Sequence, residues 1–324
     1  MTNINHKKLY SIIIIIFFII IKKYSNIIIN KNINYINVAY SIDNNYYYIT
    51  HVSMKSLMMN QKNNTFVKFF LLVHQSIDEN QKKVLDNTCK QHKNCNISYF
   101  ILRDEFKDIS TSGYRNWTTS TLYKIMLQNL LPNELKILYL DGDTIIYKDL
   151  NELYNYNISN NYYVGAYEGK PRRKYGKNLK DFINGGIILV NLENLRKDNI
   201  YEKIYDFLRK NNGSLPFLEQ DAINIICNKK NAIFPRYYVY HGICSYKKIK
   251  QLNRNKLHKD KLIQALKEPY IFHFKVHIKP WNGIAKKNRM ICFDFFPRFY
   301  EYARKTDYYF EILENFRVYE EKIL

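Results

Sequence analysis

The sequence predicts an α/β fold: one domain built on a mainly parallel, mixed sheet flanked by helices. Three observations carry that expectation. Between residues 35 and 140, short β-branched and aromatic runs alternate with segments of helical spacing, the β-α-β pattern of a parallel sheet covered on both faces. The 324-residue chain shows no internal repeat and no clear linker that would divide it further. The apolar run at 137–140 ends in "YLDGDTII" (139–146), a buried strand with two carboxylates at its carboxyl end, where open α/β sheets bind ligands.

Each element follows in order. "YINVAYS" (35–41) is a first strand, and Asp43-Asn44-Asn45 the turn after it. "YYYITHVSMKSLMMN" (46–60) has helical spacing at Ile49, Val52, Ser53, Ser56 and Leu57. "FVKFFLLV" (66–73) is a second strand, "DENQKKVLDNTCKQH" (78–92) a helix capped by Asp78, and "NISYFIL" (96–102) a third strand. "STLYKIMLQNLL" (120–131) is helical and stopped by Pro132, and Ile137–Leu140 forms the fourth strand. Beyond Asp143 the pattern is more mixed. "YYVGAYE" (162–168) and "GGIILVNL" (185–192) are strands, and "ENLRKDNIYEKIYDFLRKN" (193–211) and "EQDAINIICNK" (219–229) helices. "PYIFHF" (269–274) is a short strand before an aromatic, charged tail.

The formal charge is +21, from 50 Lys and Arg against 29 Asp and Glu. Lysine is spread along the chain together with Asn, Ile and Tyr, so the charge marks no single face. The densest basic stretch, "YKKIKQLNRNKLHKDK" (246–261), lacks an apolar helical face and reads as a solvated loop. A nucleic-acid binder concentrates its charge on one face, so that class is set aside, whereas anionic substrates or an anionic membrane surface stay compatible. Cys89, Cys95, Cys227, Cys244 and Cys292 include no C-x-x-C pair, which argues against zinc. They read as scattered structural cysteines, with Cys89 and Cys95 near enough for a local disulfide.

At the N-terminus, "HKKLYSIIIIIFFIIIKKYSN" (6–26) carries an apolar segment from Leu9 to Ile21 between lysine pairs. It has the length of a signal core and falls short of the ~20 residues that span a bilayer comfortably. We read residues 1–34 as a signal or uncleaved anchor followed by a stem, and 35–324 as the catalytic domain. This arrangement implies the secretory route, as a single-pass type II protein of the Golgi or ER membrane, with a cytoplasmic or peripheral membrane protein as the alternative. Five N-x-S/T sequons, beginning at Asn63, Asn96, Asn116, Asn157 and Asn212, permit that route.

If the strand geometry persists, Asp141 and Asp143 point the same way. Like charges held that close call for a cation, and a divalent metal is the economical one. Four further segments join them: "VAYSIDNNY" (38–46), "FINGGIILVNL" (182–192), "LEQDAIN" (218–224) and "HFKVHIKPW" (273–281). In this order, over roughly residues 36–282, they resemble glycosyltransferase family 8, the retaining enzymes that include glycogenin and the lipooligosaccharide galactosyltransferases. The resemblance implies a GT-A-type nucleotide-diphospho-sugar transferase fold and transfer of galactose or glucose from a UDP-sugar to a hydroxyl of a glycan, lipid or protein. It also implies residue roles. Asp141, Asp143 and His273 would bind Mn²⁺ bridging the UDP diphosphate, and this mixed oxygen and nitrogen set suits manganese. Lys279 would hold a diphosphate oxygen and stabilise the departing UDP. Gly142 would let the nucleotide approach closely. Tyr40, Ser41, Asp43 and Tyr46 fall where relatives bind uracil and ribose, Lys124 where a basic residue reaches the donor sugar and phosphate, and Asn184 where an asparagine binds the sugar. Glu219 and Gln220 lie on the face opposite the leaving group, positioning the sugar and stabilising the transition state.

Two departures stand out. Glu219 replaces the aspartate of many relatives, and Val276 stands where glycine is usual. Val276 raises the alternative of a catalytically degenerate, UDP-binding partner protein. A metal-dependent phosphohydrolase using the two aspartates is disfavoured, because Ile145 breaks that motif and the pair lies on about the fourth strand. Oligomeric state is not readable.

Overall fold

Runs of β-branched and aromatic residues form the strands of the computed structural model, which describes residues 14–20, 33–111, 118–169, 182–212, 214–235, 237–241, 269–275, 279–281 and 296–314. The first half alternates as the sequence predicts: β1 (Asn34–Ile42), α1 (Tyr47–Asn60), β2 (Thr65–His74), α2 (Glu79–Gln91), β3 (Cys95–Leu102). A 3₁₀ segment (Thr119–Met126) then runs into α3 (Leu127–Leu130) and β4 (Lys136–Leu140). After it come β5 (Thr144–Ile146), α4 (Asn151–Tyr154), β6 (Tyr163–Gly169), β7 (Phe182–Asn191), α5 (Leu192–Lys197), α6 (Ile200–Lys210), α7 (Leu218–Ile226), β8 (Asn231–Ile233), β9 (Val239–His241), β10 (Ile271–His273) and α8 (Phe296–Ala303).

Seven strands form the central sheet in the order β3-β2-β1-β4-β7-β6-β8, and β5-β10-β9 form a small second sheet. The β3, β2, β1 and β4 neighbours pair in parallel, and β7 runs antiparallel to both β4 and β6. The chain builds outward from β1 to β3, then returns to place β4 on the other side of β1. Such a reversal of strand order opens a crevice at the carboxyl ends of the two central strands. Asp43 follows β1 and Asp141 follows β4, so both lie at that crevice.

Strand alternation sorts the core into two layers. Ile36, Val38, Tyr40 and Ile42 of β1 and Leu138 and Leu140 of β4 pack with Met54 and Leu57 of α1. Ala39, Ile137 and Tyr139 face the other way, with Leu122, Ile125, Ile204 and Ala222 from the 3₁₀ segment, α6 and α7. Helix α2 starts on a full capping box, Asp78 accepting from the Gln81 amide at 2.8 Å while Gln81 accepts from the Asp78 amide at 3.0 Å.

Some elements differ from the sequence reading. The helix expected over 193–211 is two, because Asn199 adopts a left-handed conformation (φ 50°) between α5 and α6. The helix expected over 120–131 is mostly 3₁₀. Cys89 and Cys95 are bonded, tying the end of α2 to the start of β3, and Cys227 is a buried free thiol. Residues 14–20 form a helix with exposed isoleucine and phenylalanine side chains. Among the described residues no helix is long and apolar enough to cross a membrane, so the expected single-pass anchor has no counterpart there. The basic stretch 246–261, residues 170–181, Val276, Cys244 and Cys292 lie outside the described residues.

Candidate active site

The carboxyl ends of β1 and β4, the start of β7 and the start of α7 surround a cleft of about 380 Å³. Asp141 leaves β4 with its backbone N–H donating to Gly186 O at 2.7 Å, which sets the head of β7 beside it. The pairing of β10 with β5 puts His273 opposite Thr144, and Phe274 N–H donates to Asp143 O at 2.9 Å. The small second sheet therefore delivers His273 to the aspartates. His273 Nε2 is 3.1 Å from Asp143 Oδ1 and 3.8 Å from Asp141 Oδ2.

These three residues offer ligand atoms that all lie within 4.8 Å of one another. Adjacent ligand atoms around a six-coordinate ion with bonds of about 2.1 Å lie about 3 Å apart, so the cluster needs little contraction to hold one. Asp143 Oδ1 is buried and its close polar neighbour is His273 Nε2, so two ligand atoms of the cluster face each other there. The donor set fits a divalent metal.

Lys279 Nζ contacts Asp143 Oδ2 and the Phe274 carbonyl oxygen. Burial works against the charge of Asp143, yet Lys279 and His273 outweigh it and hold the carboxyl well below the usual range. Lys124, on the 3₁₀ segment, is almost fully buried. Its Nζ donates to Gly185 O at 3.0 Å and Glu219 Oε1 at 2.9 Å, and lies 3.4 Å from Asp141 Oδ1. Burial disfavours this ammonium, but Asp141 and Glu219 prevail and keep it protonated. Glu219 is buried beside it, and that burial raises its carboxyl pKa against the pull of Lys124.

Leu218, just before Glu219, has φ 44°, a rare conformation for a branched residue. With it, α7 begins with Glu219 and Gln220 facing the cleft. Gln220 Oε1 accepts from Gly185 N–H at 2.8 Å, whereas its Nε2 and Glu219 Oε2 are buried without protein partners. Asn184 is held on both sides, donating to Glu168 at 2.8 Å and accepting from Gly186 N–H at 2.9 Å.

Of the residues singled out from the sequence, Ser41, Asp43, Tyr46, Lys124, Asp141, Gly142, Asp143, Asn184, Glu219, Gln220, His273 and Lys279 all line this cleft. Tyr40 does not, and its assignment to the nucleotide site is corrected. Its ring is fully buried in the α1 layer and its hydroxyl lies 3.1 Å from Ser53 Oγ, because strand alternation turns residue 40 away from the face that Ser41 presents. Gly142 has a packing reason as well: a Cβ there would come 2.4 Å from Thr50 Oγ1 of α1. Asp43 accepts from Thr118 Oγ1 at 2.8 Å and Ser120 Oγ at 3.0 Å.

Asn45, Tyr139, Glu168, Gly186 and Lys275 also line the cleft and were not singled out. Gly186 alone carried a usable signal, since glycine inside a strand often marks a close approach. A Cβ there would come 2.2 Å from Asp141 Oδ2 and 2.7 Å from His273 Cε1.

The family model described as Glycosyl transferase family 8 matches residues 37–285. A putative glycosyltransferase of Haemophilus influenzae is 24% identical over 204 residues, covering 60% of each chain. A lipopolysaccharide 1,2-glucosyltransferase of Escherichia coli is 26% identical over 214 residues, 62% of this chain and 61% of its own. This chain thus spans about three-fifths of the length of these two relatives. The galactosyltransferase LgtC, solved with donor and acceptor sugar analogues, superimposes with a TM-score of 0.69 at 17% identity, covering 84% of this chain and 96% of that one; this is a likeness of fold. By its match over residues 37–285, on a GT-A sheet with a cleft of this make-up, the chain belongs to glycosyltransferase family 8.

Proposed function

We propose that residues 35–324 form a metal-dependent, retaining hexosyltransferase that moves galactose or glucose from a UDP-sugar to a hydroxyl of a glycan, lipid or protein. The observation that carries this reading is the convergence of Asp141, Asp143 and His273 beside Lys279, at one end of a cleft whose other side holds Asn184, Glu219 and Gln220. One of the relatives is named a glucosyltransferase and the solved neighbour a galactosyltransferase, which supports a hexose donor.

The donor lies with its nucleotide toward Ser41, Asp43 and Tyr46 and its diphosphate at Lys279. Asp141, Asp143 and His273 hold the divalent metal, Mn²⁺ in this reading, which supplies charge stabilisation to the departing diphosphate when bound. Lys279 leaves Asp143 for a diphosphate oxygen and neutralises charge as the glycosidic bond breaks. Lys124 stays protonated and fixes Glu219. The free Oε2 of Glu219 accepts from one sugar hydroxyl, and the free Nε2 of Gln220 donates to another. These contacts position the sugar beneath its anomeric carbon while the acceptor enters from the leaving-group side. The acceptor oxygen bonds to the anomeric carbon on the same face from which the UDP oxygen departs, and a phosphate oxygen of UDP takes the acceptor proton, so the anomeric configuration is kept. The chain works as a peripheral enzyme at an anionic membrane surface, supported by its charge of +21 and the exposed apolar helix at 14–20.

A panel of UDP-sugars, assayed for UDP release with Mn²⁺ and with EDTA, tests the reading. Release from one sugar that disappears with EDTA and in Asp143→Ala supports it and names the donor. UDP binding without release from any sugar, acceptors included, would instead make the chain a UDP-binding partner protein.

A further inference from the structure

We propose that Tyr139 is a positioning residue of this site: its hydroxyl pins one oxygen of Asp141, so that the carboxylate offers only Oδ2 to a metal. The inference rests on the metal-dependent reading above and extends it to a residue outside the ligand set.

The two oxygens of Asp141 have different surroundings. Oδ1 accepts from the Tyr139 hydroxyl at 3.0 Å and lies 3.4 Å from Lys124 Nζ. Oδ2 faces His273 Nε2 at 3.8 Å, over the space that a Cβ on Gly186 would fill. Residues 139 and 141 share a face of β4, two apart, which brings the phenol within reach of the carboxylate. Tyr139 is itself only 2% exposed, with its ring in the core layer beneath the cleft. Lys124 Nζ stands 4.6 Å from the centre of that ring, so the two groups beside Oδ1 also pack against each other. A carboxylate lacking the Tyr139 hydrogen bond is free to turn and chelate through both oxygens, or to swing toward Lys124.

Partners that orient metal ligands typically contribute 10–100-fold in metal affinity. The test measures Mn²⁺ binding to the full chain by the electron paramagnetic resonance signal of the free ion, in wild type, Tyr139→Phe and Tyr163→Phe. Tyr163 is equally buried in the same core layer, outside the cleft, and reports any general effect of removing a core hydroxyl. Tyr139→Phe is expected to bind Mn²⁺ about 10-fold more weakly, with its melting in EDTA within a few degrees of wild type and Tyr163→Phe unchanged. Equal Mn²⁺ affinity in Tyr139→Phe and wild type overturns the inference and leaves the metal reading standing. Failure of wild type to bind Mn²⁺ overturns both. A crystal structure of the Mn²⁺-loaded wild type decides the matter without a variant. Asp141 bound through one oxygen, with the other on Tyr139, supports the inference, and bidentate Asp141 refutes it.

Discussion

Gly186 shows how closely the proposed metal ligands are set, because the nearest atoms a side chain there would meet belong to Asp141 and His273 themselves. Gly186→Ala is therefore expected to keep the fold while pushing two ligands apart. A misplacement of about 1 Å costs roughly 100-fold in turnover, and UDP release should fall by about that factor. Melting temperature and steady-state kinetics measured together check this, and normal turnover in a folded variant would mean that the pair has room to spare. Motif residues such as Asp141, Asp143, His273 and Lys279, singled out from the sequence, come together in one cleft. Tyr40 does not join them, because nothing in the sequence fixed which face of β1 the ring takes. Tyr139, Glu168 and Lys275 carry no motif of their own. Their place in the cleft depends on pairings between strands far apart in sequence.

At the scale of elements, α1 and α2 enclose His51, whose Nδ1 lies 3.0 Å from Thr88 Oγ1 and whose Nε2 is buried without a partner. Burial, assisted by Lys55, pushes its pKa down from 6.5 to about 3. The folded state thus holds His51 neutral while the unfolded chain takes up a proton. The associated stability is complete above pH 6.5 and is lost as pH falls from there toward about 3. By pH 4.5 the loss is on the order of 3 kcal/mol. His51→Gln keeps a partner for Thr88 and does not titrate. Urea unfolding at pH 7.5 and 4.5 should show the variant gaining on wild type by that amount, and parallel losses would exclude His51 as the cause. The Cys89–Cys95 bond closes a short loop between α2 and β3, for which chain entropy predicts about 2 kcal/mol. Cys95→Ser should lose that much in urea unfolding without reductant, and a stability equal to wild type would leave the bond without a structural role. The strands and helices through β4 were legible because each carries its own periodicity. The three-residue strands β5, β8 and β9 have too few residues to show one, and the break at Asn199 was hidden inside a continuous helical pattern.

Across the whole molecule, function follows from where the strand order turns back. Local alternation could predict a mainly parallel sheet, but not that β4 returns beside β1, nor that β10 pairs with β5 to carry His273 into the crevice. Those two pairings bring the ends of β1, β4, β7, β10 and α7 to one cleft, and the family motifs are the residues that occupy those ends. The proposed activity depends on Asp141, Asp143 and His273 holding the metal that anchors a UDP-sugar. Calorimetric titration of UDP into the full chain tests it most directly, with Mn²⁺, with EDTA, and with His273→Ala in Mn²⁺. We predict UDP affinity at least about 10-fold tighter with Mn²⁺ than with EDTA, and loss of that difference in His273→Ala. UDP binding of equal strength in all three conditions would contradict the assignment of the site.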